Sequence, residues 1–147
     1  MFGFFGKKVS KKAVELKQAS ARIENKDLVE AVVMGSLLVA FRDGNCDDNE
    51  IKALEGVLSS DKQFETWQGQ IPNMIADGVH KFSDGRYRIG KINALREISD
   101  LKNDPKNAEL ALVCIITVAD SGDISPEERE TLDEIAKALG LRLENYL

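Results

Sequence analysis

One short stretch occurs twice in this chain, and the repeat limits what the chain can fold into. The first copy is Arg42-Asp43-Gly44-Asn45-Cys46-Asp47-Asp48-Asn49-Glu50, the second Asp120-Ser121-Gly122-Asp123-Ile124-Ser125-Pro126-Glu127-Glu128. They align without a gap at an offset of 78 residues, with Gly44 on Gly122, Glu50 on Glu128 and Leu54 on Leu132. Similar residues continue outward: Leu38 with Ile116, Glu55 with Asp133, Val57 with Ile135. Each copy reads as an apolar helix, a short acidic turn containing glycine, and a second helix opened by carboxylates. The expectation is an internal duplication: a single all-α domain with two pseudo-symmetric helix–acidic turn–helix units.

The surrounding segments support that class. Asp27 is positioned to cap a helix running through Phe41 that is apolar nearly all round, and residues 106–119 form a second such helix. These two are expected at the centre. Asp47 caps a helix to about Leu58, with Leu54, Val57 and Leu58 turned inward. Ser59–Gln70 reads as a loop with a short turn, where Trp67 covers the core. Pro72 suits a first helical position and opens a helix through Phe82. Ser83 or Asp84 begins the next, through Leu101, with Ile92, Leu95 and Ile98 as its buried stripe. Asn103-Asp104-Pro105 separates it from the second apolar helix. Ser125-Pro126-Glu127-Glu128 has a serine cap, a proline at the first helical position and a glutamate three residues after the cap. Gly140 ends that helix, and Leu141–Leu147 is a tail of about one turn. Gly35, Gly56 and Gly90 fall inside helices, where they either weaken the helix or mark close packing.

The net charge of -5 is unevenly distributed. Residues 1–26 carry Lys7, Lys8, Lys11, Lys12, Lys17, Arg22 and Lys26 against Glu15 and Glu24, so a basic arm precedes an acidic body spanning 27–147. Such a body disfavours nucleic-acid binding, which depends on neutralising phosphates. The arm, with Phe2, Phe4 and Phe5 ahead of Lys7, Lys8, Lys11 and Lys12, suits an anionic membrane surface or a protein partner. Cys46 and Cys114 lack metal-type spacing and fit a reducing compartment. No signal-peptide order is expected at the start, and the longest near-apolar run, Ala31–Phe41, is too short to span a bilayer.

The acidic turns are the first candidate site. Glu50 lies four residues before Leu54, and Glu128 four before Leu132, so each glutamate is expected on the inward face of its helix. Both also fit as box partners of a cap, Asp47-x-x-Glu50 and Ser125-x-x-Glu128. Capping leaves the other acids unexplained. Asp43, Asp47, Glu50, Asp120, Asp123 and Glu128 form an oxygen-only donor set, suited to Ca²⁺ or Mg²⁺ rather than zinc. An ordinary EF-hand is excluded: a loop begun at Asp43 puts Asp48 at the glycine position and Leu54 at position twelve. His80 has no triad context, and Asp84–Gly90 lacks the features of a phosphate-binding loop.

On these residues the chain resembles the tellurite-resistance TerB family. The matching stretches are 40–50 and 119–128, each an apolar helix running into an acidic glycine turn that ends on a glutamate. Leu139-Gly140 and the phenylalanine- and lysine-rich start also look like that family. The second copy has Ser121-Gly122 where Asp-Gly is usual, with Asp120 one place earlier. The resemblance implies a bacterial or phage cytoplasmic protein, and the basic arm adds the expectation of a peripheral place at the inner face of the membrane. It further implies a stress-response system linked to tellurite, phage and colicin resistance, with membrane and calcium-binding partners and a metal site at the acidic turns. The functional expectation is therefore a non-enzymatic, metal-binding adaptor. A metal-dependent hydrolase using the clustered carboxylates and a metal-free helical interaction module are the alternatives.

Overall fold

The computed structural model describes residues 23–42, 44, 46–119 and 124–147. The arm residues Phe2, Phe4, Phe5, Lys7, Lys8, Lys11 and Lys12 lie outside them, as do Asp43, Asp120 and Asp123. Among the described residues the chain is all helical, with six α-helices: α1 (Lys26–Ala40), α2 (Asp48–Ser60), α3 (Ile71–Phe82), α4 (Tyr87–Ser99), α5 (Pro105–Ala119) and α6 (Pro126–Ala138). Short 3-10 turns occupy Lys62–Trp67, Asp100–Asn103 and Leu143–Asn145. No described helix is long and apolar enough to cross a membrane.

α1 and α5 are buried on almost every side, from Leu28 to Val39 and from Ala108 to Val118, apart from Glu30 and Glu109. α1 packs against each of the other five helices, and most extensively against α5. Gly35 makes that approach possible, because a Cβ there would collide with the end of the Ile115 side chain. Gly78 does the same for α3, lying under Leu37 and Met34. The direction of each helix follows from these neighbours. The end of α4 shares a hollow with the first half of α1 (Asp27, Glu30, Ala31, Met34 with Ile98 and Leu101), so α5 starts beside the start of α1. Gly35 and Ile115 then meet at nearly the same height along the two helices. α1 and α5 therefore run parallel, and Ala40 and Ala119 end them toward the same end of the bundle.

At that end the core is closed by aromatic rings. Phe41 and Phe82 have centroids 5.7 Å apart, and Phe82 and Tyr87 5.9 Å. Burying Phe82 completely contributes on the order of 1.5–3 kcal/mol. At the opposite end the chain enters α1 through Ile23, whose N–H donates to Gln63 O at 2.8 Å and whose carbonyl accepts from Trp67 Nε1 at 2.9 Å. The tail closes the same end. Tyr146 is buried and its hydroxyl donates to the Glu109 carboxylate. Burial, and then this hydrogen bond, push the phenol above its ordinary pKa.

Several expectations need correction. The cap of α1 is Asn25, not Asp27: its Oδ1 accepts from Asp27 N (2.9 Å) and Leu28 N (3.3 Å). α4 begins at Tyr87 because Asp84 and Gly85 adopt left-handed backbone (φ 56 and 81), which a helix start cannot use. It ends at Ser99, and Leu101 belongs to the following 3-10 turn. Its buried face is Gly90, Ala94 and Ile98, while Ile92 is 55% exposed. The physical reason is Gly90, where a Cβ would strike Lys81 O and the Phe82 ring. α4 approaches α3 on its small-residue side, and Ile92 is turned out.

The glycines predict opposite signs. Gly56 has open space around its missing Cβ, so Gly56→Ala should raise stability by about 0.5–1 kcal/mol. Gly90→Ala should lower it by roughly 1–3 kcal/mol through overpacking. Ser36 is buried and its hydroxyl has no partner, so Ser36→Ala should stabilise by about 1 kcal/mol. Urea unfolding of the three variants measures all of these.

Candidate functional site

The first turn follows directly from how α1 stops. Phe41 N still bonds to Leu37 O at 2.8 Å, but Arg42 N turns to Val39 O at 3.3 Å and Gly44 N to Phe41 O at 2.6 Å. The Arg42 side chain also folds back on this helix end, its Nη1 donating to Val39 O at 3.4 Å and to Ala40 O at 3.3 Å. A cation is favoured there by the helix dipole. The same guanidinium nitrogen is 3.8 Å from Glu50 Oε2.

α2 then starts on Asp47, whose Oδ1 accepts from Glu50 N at 2.8 Å. Glu50 is not inward-facing as expected; its side chain is 45% exposed. In the first turn of α2 it is Ile51 that packs on the core, ahead of the fully buried Leu54 and Leu58, and Glu50 beside it is turned out. Because Glu50 is exposed, its pairing with Arg42 contributes no more than about 1 kcal/mol. Cys46 lies against these acids, with Sγ 3.6 Å from Asp47 O and 3.9 Å from Glu50 Oε2. Burial, then the charges of Glu50 and Asp47, push its thiol up to about 12, with Arg42 opposing.

The second turn meets α6 through a complete capping box. Ser125 Oγ accepts from Glu128 N at 3.1 Å, and Glu128 Oε1 accepts from Ser125 N at 2.7 Å. Glu128 is half-buried, and Ile124 packs on the core beside it. At the far end of α6, Gly140 has φ 75 and Leu141 N bonds back to Ala136 O at 2.8 Å, ending the helix as expected.

The structure thus describes Asp47, Glu50 and Glu128 of the six proposed ligands. Asp47 and Glu50 meet at the first turn, and Glu128 stands at the start of the other unit. Among the described residues, no three His, Cys, Asp or Glu side chains gather in a metal-holding group. A carboxylate has about four lone-pair sites, so capping leaves Asp47 and Glu128 able to accept further bonds. Sequence reasoning missed Arg42 as a partner of Glu50. Its signal was the position of a basic residue just past an apolar helix.

An all-helical domain with a parallel central pair, each member running into an acidic turn and an amphipathic helix, is the class these features define. The family model described as tellurite resistance protein TerB matches residues 29–146. The chain belongs to the TerB family. No curated protein and no solved structure matches it.

Two measurements check the site. Ser125→Ala removes half of the box and should cost about 0.5–2 kcal/mol. Cys46 should alkylate far more slowly at pH 8.5 than an ordinary cysteine, because the thiolate is the nucleophile and the raised pKa leaves little of it. Glu50→Gln removes one of the repelling charges and should speed the reaction.

Proposed function

We propose that this TerB-family chain is a non-enzymatic adaptor that binds a hard divalent cation, Ca²⁺ or Mg²⁺, at its acidic turns, within a membrane-linked stress response such as tellurite resistance. The observation that supports the reading is the parallel run of α1 and α5, whose last residues lie toward one end of the bundle. Asp43, Asp47 and Glu50 would serve the first turn and Asp120, Asp123 and Glu128 the second. The donor set fits: all six are carboxylates, the ligand type such ions take. The bound ion would supply charge neutralisation that tightens the turns and orders a surface for a protein partner. Residues 1–26 would supply the membrane contact.

A metal-free interaction module is the competing reading, and one observation favours it. The Arg42 guanidinium already faces Glu50, so part of the first turn's charge is balanced internally.

Calorimetric titration with Ca²⁺ and Mg²⁺ after chelator treatment separates the two. Cation binding should release or absorb heat and raise the melting temperature by mass action. Asp43→Asn and Glu50→Gln should remove the first turn's share, and Asp120→Asn and Glu128→Gln the second's. Arg42→Gln should tighten binding at the first turn several-fold. A cation beside Cys46 should also lower its pKa and speed its alkylation. Silence in all of these at concentrations on the order of millimolar, where weak Ca²⁺ modules still bind, would leave the turns as helix caps.

The arm has its own test. Full-length chain should co-sediment with anionic vesicles and do so less as salt rises, while the chain beginning at Asp27 should not. Equal behaviour of the two removes the membrane role.

A further inference from the structure

α4 carries the large exposed apolar side chains of the described residues: Ile89 is 69% and Ile92 55% exposed. Behind Ile89 the helix surface falls away. Gly90 and Ala94 are small and buried, and with Met34 of α1 they floor an apolar groove of about 440 Å³ that Ile89 borders. The residues on its rim are exposed, so the groove is open to solvent along its length. It extends from Arg86, which precedes α4, to Arg96 in the last turn of that helix. A rise over about ten residues gives about 15 Å, close to three helical turns.

The rim has a sign. Lys81, Arg86 and Arg96 line the groove and are exposed, against one lining carboxylate, Glu97. Arg86 is held in place by His80 O at 3.0 Å and by Asp84 at 3.6 Å. Lys81 and Arg96 form no ion pair among the described residues, so their charge is uncompensated. One stands toward each end of the groove. The apolar floor therefore lies between positive charges, in a body that is acidic overall. Beyond Glu97 the surface turns acidic, with Asp27, Glu30 and Asp100 around a second hollow. That reversal marks where the groove's basic rim stops.

Charge and shape together select the occupant. Ile89 and Ile92 are the exposed large hydrophobics of the described residues, so a second copy would offer the same α4 face. Lys81, Arg86 and Arg96 would then meet their own counterparts, and a self-paired patch must be self-complementary. The arm of residues 1–26 is itself basic and would be repelled. A flat anionic membrane would reach Ile89 and the cations but not the recessed Gly90 and Ala94. An amphipathic helix reaches both: its apolar side chains enter the groove while its polar flanks lie along the rim, a recurring mode of peptide recognition. We infer that the α4 groove binds an acidic amphipathic helix of a protein partner. Met34, Ile89 and Ala94 contact its apolar face, and Lys81, Arg86 and Arg96 its carboxylates. This surface would serve the adaptor role proposed above, yet it contains none of the acidic-turn residues and needs no cation.

Fluorescence anisotropy with the full chain is the test, run in the presence of chelator so that the outcome is independent of cation binding at the turns. The probe is a labelled helical peptide of about twelve residues, roughly 18 Å long, with leucines along one face and glutamates on the rest. Its control carries lysine in place of each glutamate. The wild type should bind the glutamate peptide on the order of ten-fold more tightly than the lysine peptide, since exposed ion pairs each contribute modestly. Added salt should narrow that difference. Ile89→Ser should weaken binding of the glutamate peptide with an unchanged far-UV circular dichroism spectrum. The double variant Lys81→Glu, Arg96→Glu should reverse the preference, and its gain of lysine-peptide binding reports charge rather than loss of fold. No binding of the glutamate peptide at concentrations on the order of 1 mM overturns the inference. So does equal binding of the two peptides, or binding that Ile89→Ser leaves unchanged. A wild type that dimerises through Ile89 assigns the face to a second copy, and co-sedimentation with anionic vesicles that Ile89→Ser abolishes assigns it to lipid. Either result overturns the inference as well.

Discussion

The fold depends on how closely α1 can approach its neighbours. At Gly35 the side chain of Ile115 occupies the volume a Cβ would need, and at Gly78 Leu37 does the same. Close-packed interiors lose stability when even one methylene is added or removed, so these positions set the spacing of three helices. α1 also forms no amphipathic compromise with solvent, being buried along nearly its whole length. A helix of that kind is stable only inside a complete set of partners. The other helices are its solvent shield, and each presents a narrower apolar stripe suited to one-sided burial.

From this arrangement comes the position of the candidate site. Two parallel helices of 15 residues each, packed at matching height, must release their chains at the same level. The segments that follow are short and acidic in sequence, and helix caps at Asp47 and Ser125 open the next helices. The caps satisfy backbone N–H groups that would otherwise be exposed, and they fix the first carboxylates of α2 and α6. Negative charge at the start of α2, from Asp47, Asp48 and Glu50, is partly self-repelling. Arg42 offsets part of it on one side, at a helix end whose partial negative charge also attracts it.

The parts legible in the sequence were those where one physical demand dominates. An all-round apolar run can only be central, and α1 and α5 are. Ser125-Pro126-Glu127-Glu128 satisfies three start preferences together, and its box is formed. Asp47 caps α2, and Gly140 follows the end of α6. The parts that misled were those with two competing solutions. α4 has isoleucines on one side and Gly90, Ala94 and Ile98 on the other, and periodicity alone favours the bulkier set. Close approach to Phe82 favours the smaller set, and that is a tertiary fact. Glu50 was placed inward by its spacing from Leu54, but Ile51 is as close to Leu54 along the helix, and it is Ile51 that packs on the core. Asn25 and Asp27 both have capping chemistry, and only the path of the chain through Ile23 distinguishes them. Asp43, Asp120 and Asp123 were named as acids of the two turns that capping leaves unexplained, and lie outside the described residues.

The parallel pairing of α1 and α5 has a consequence for synthesis. Ile115 lies 80 residues downstream of Gly35, so the main partner of α1 leaves the ribosome well after α1 itself. At about 5–20 residues per second, α1 waits for a period on the order of 4–16 seconds with much of its apolar surface uncovered. α2 and α3 arrive first and cover part of it, but the face around Gly35 has no other occupant. Contacts so distant in sequence also slow folding of the finished chain, because loop closure precedes any gain from packing. The nascent protein is therefore most exposed to aggregation between the appearance of α1 and the completion of α5, a window set by the order of its helices rather than by their stability.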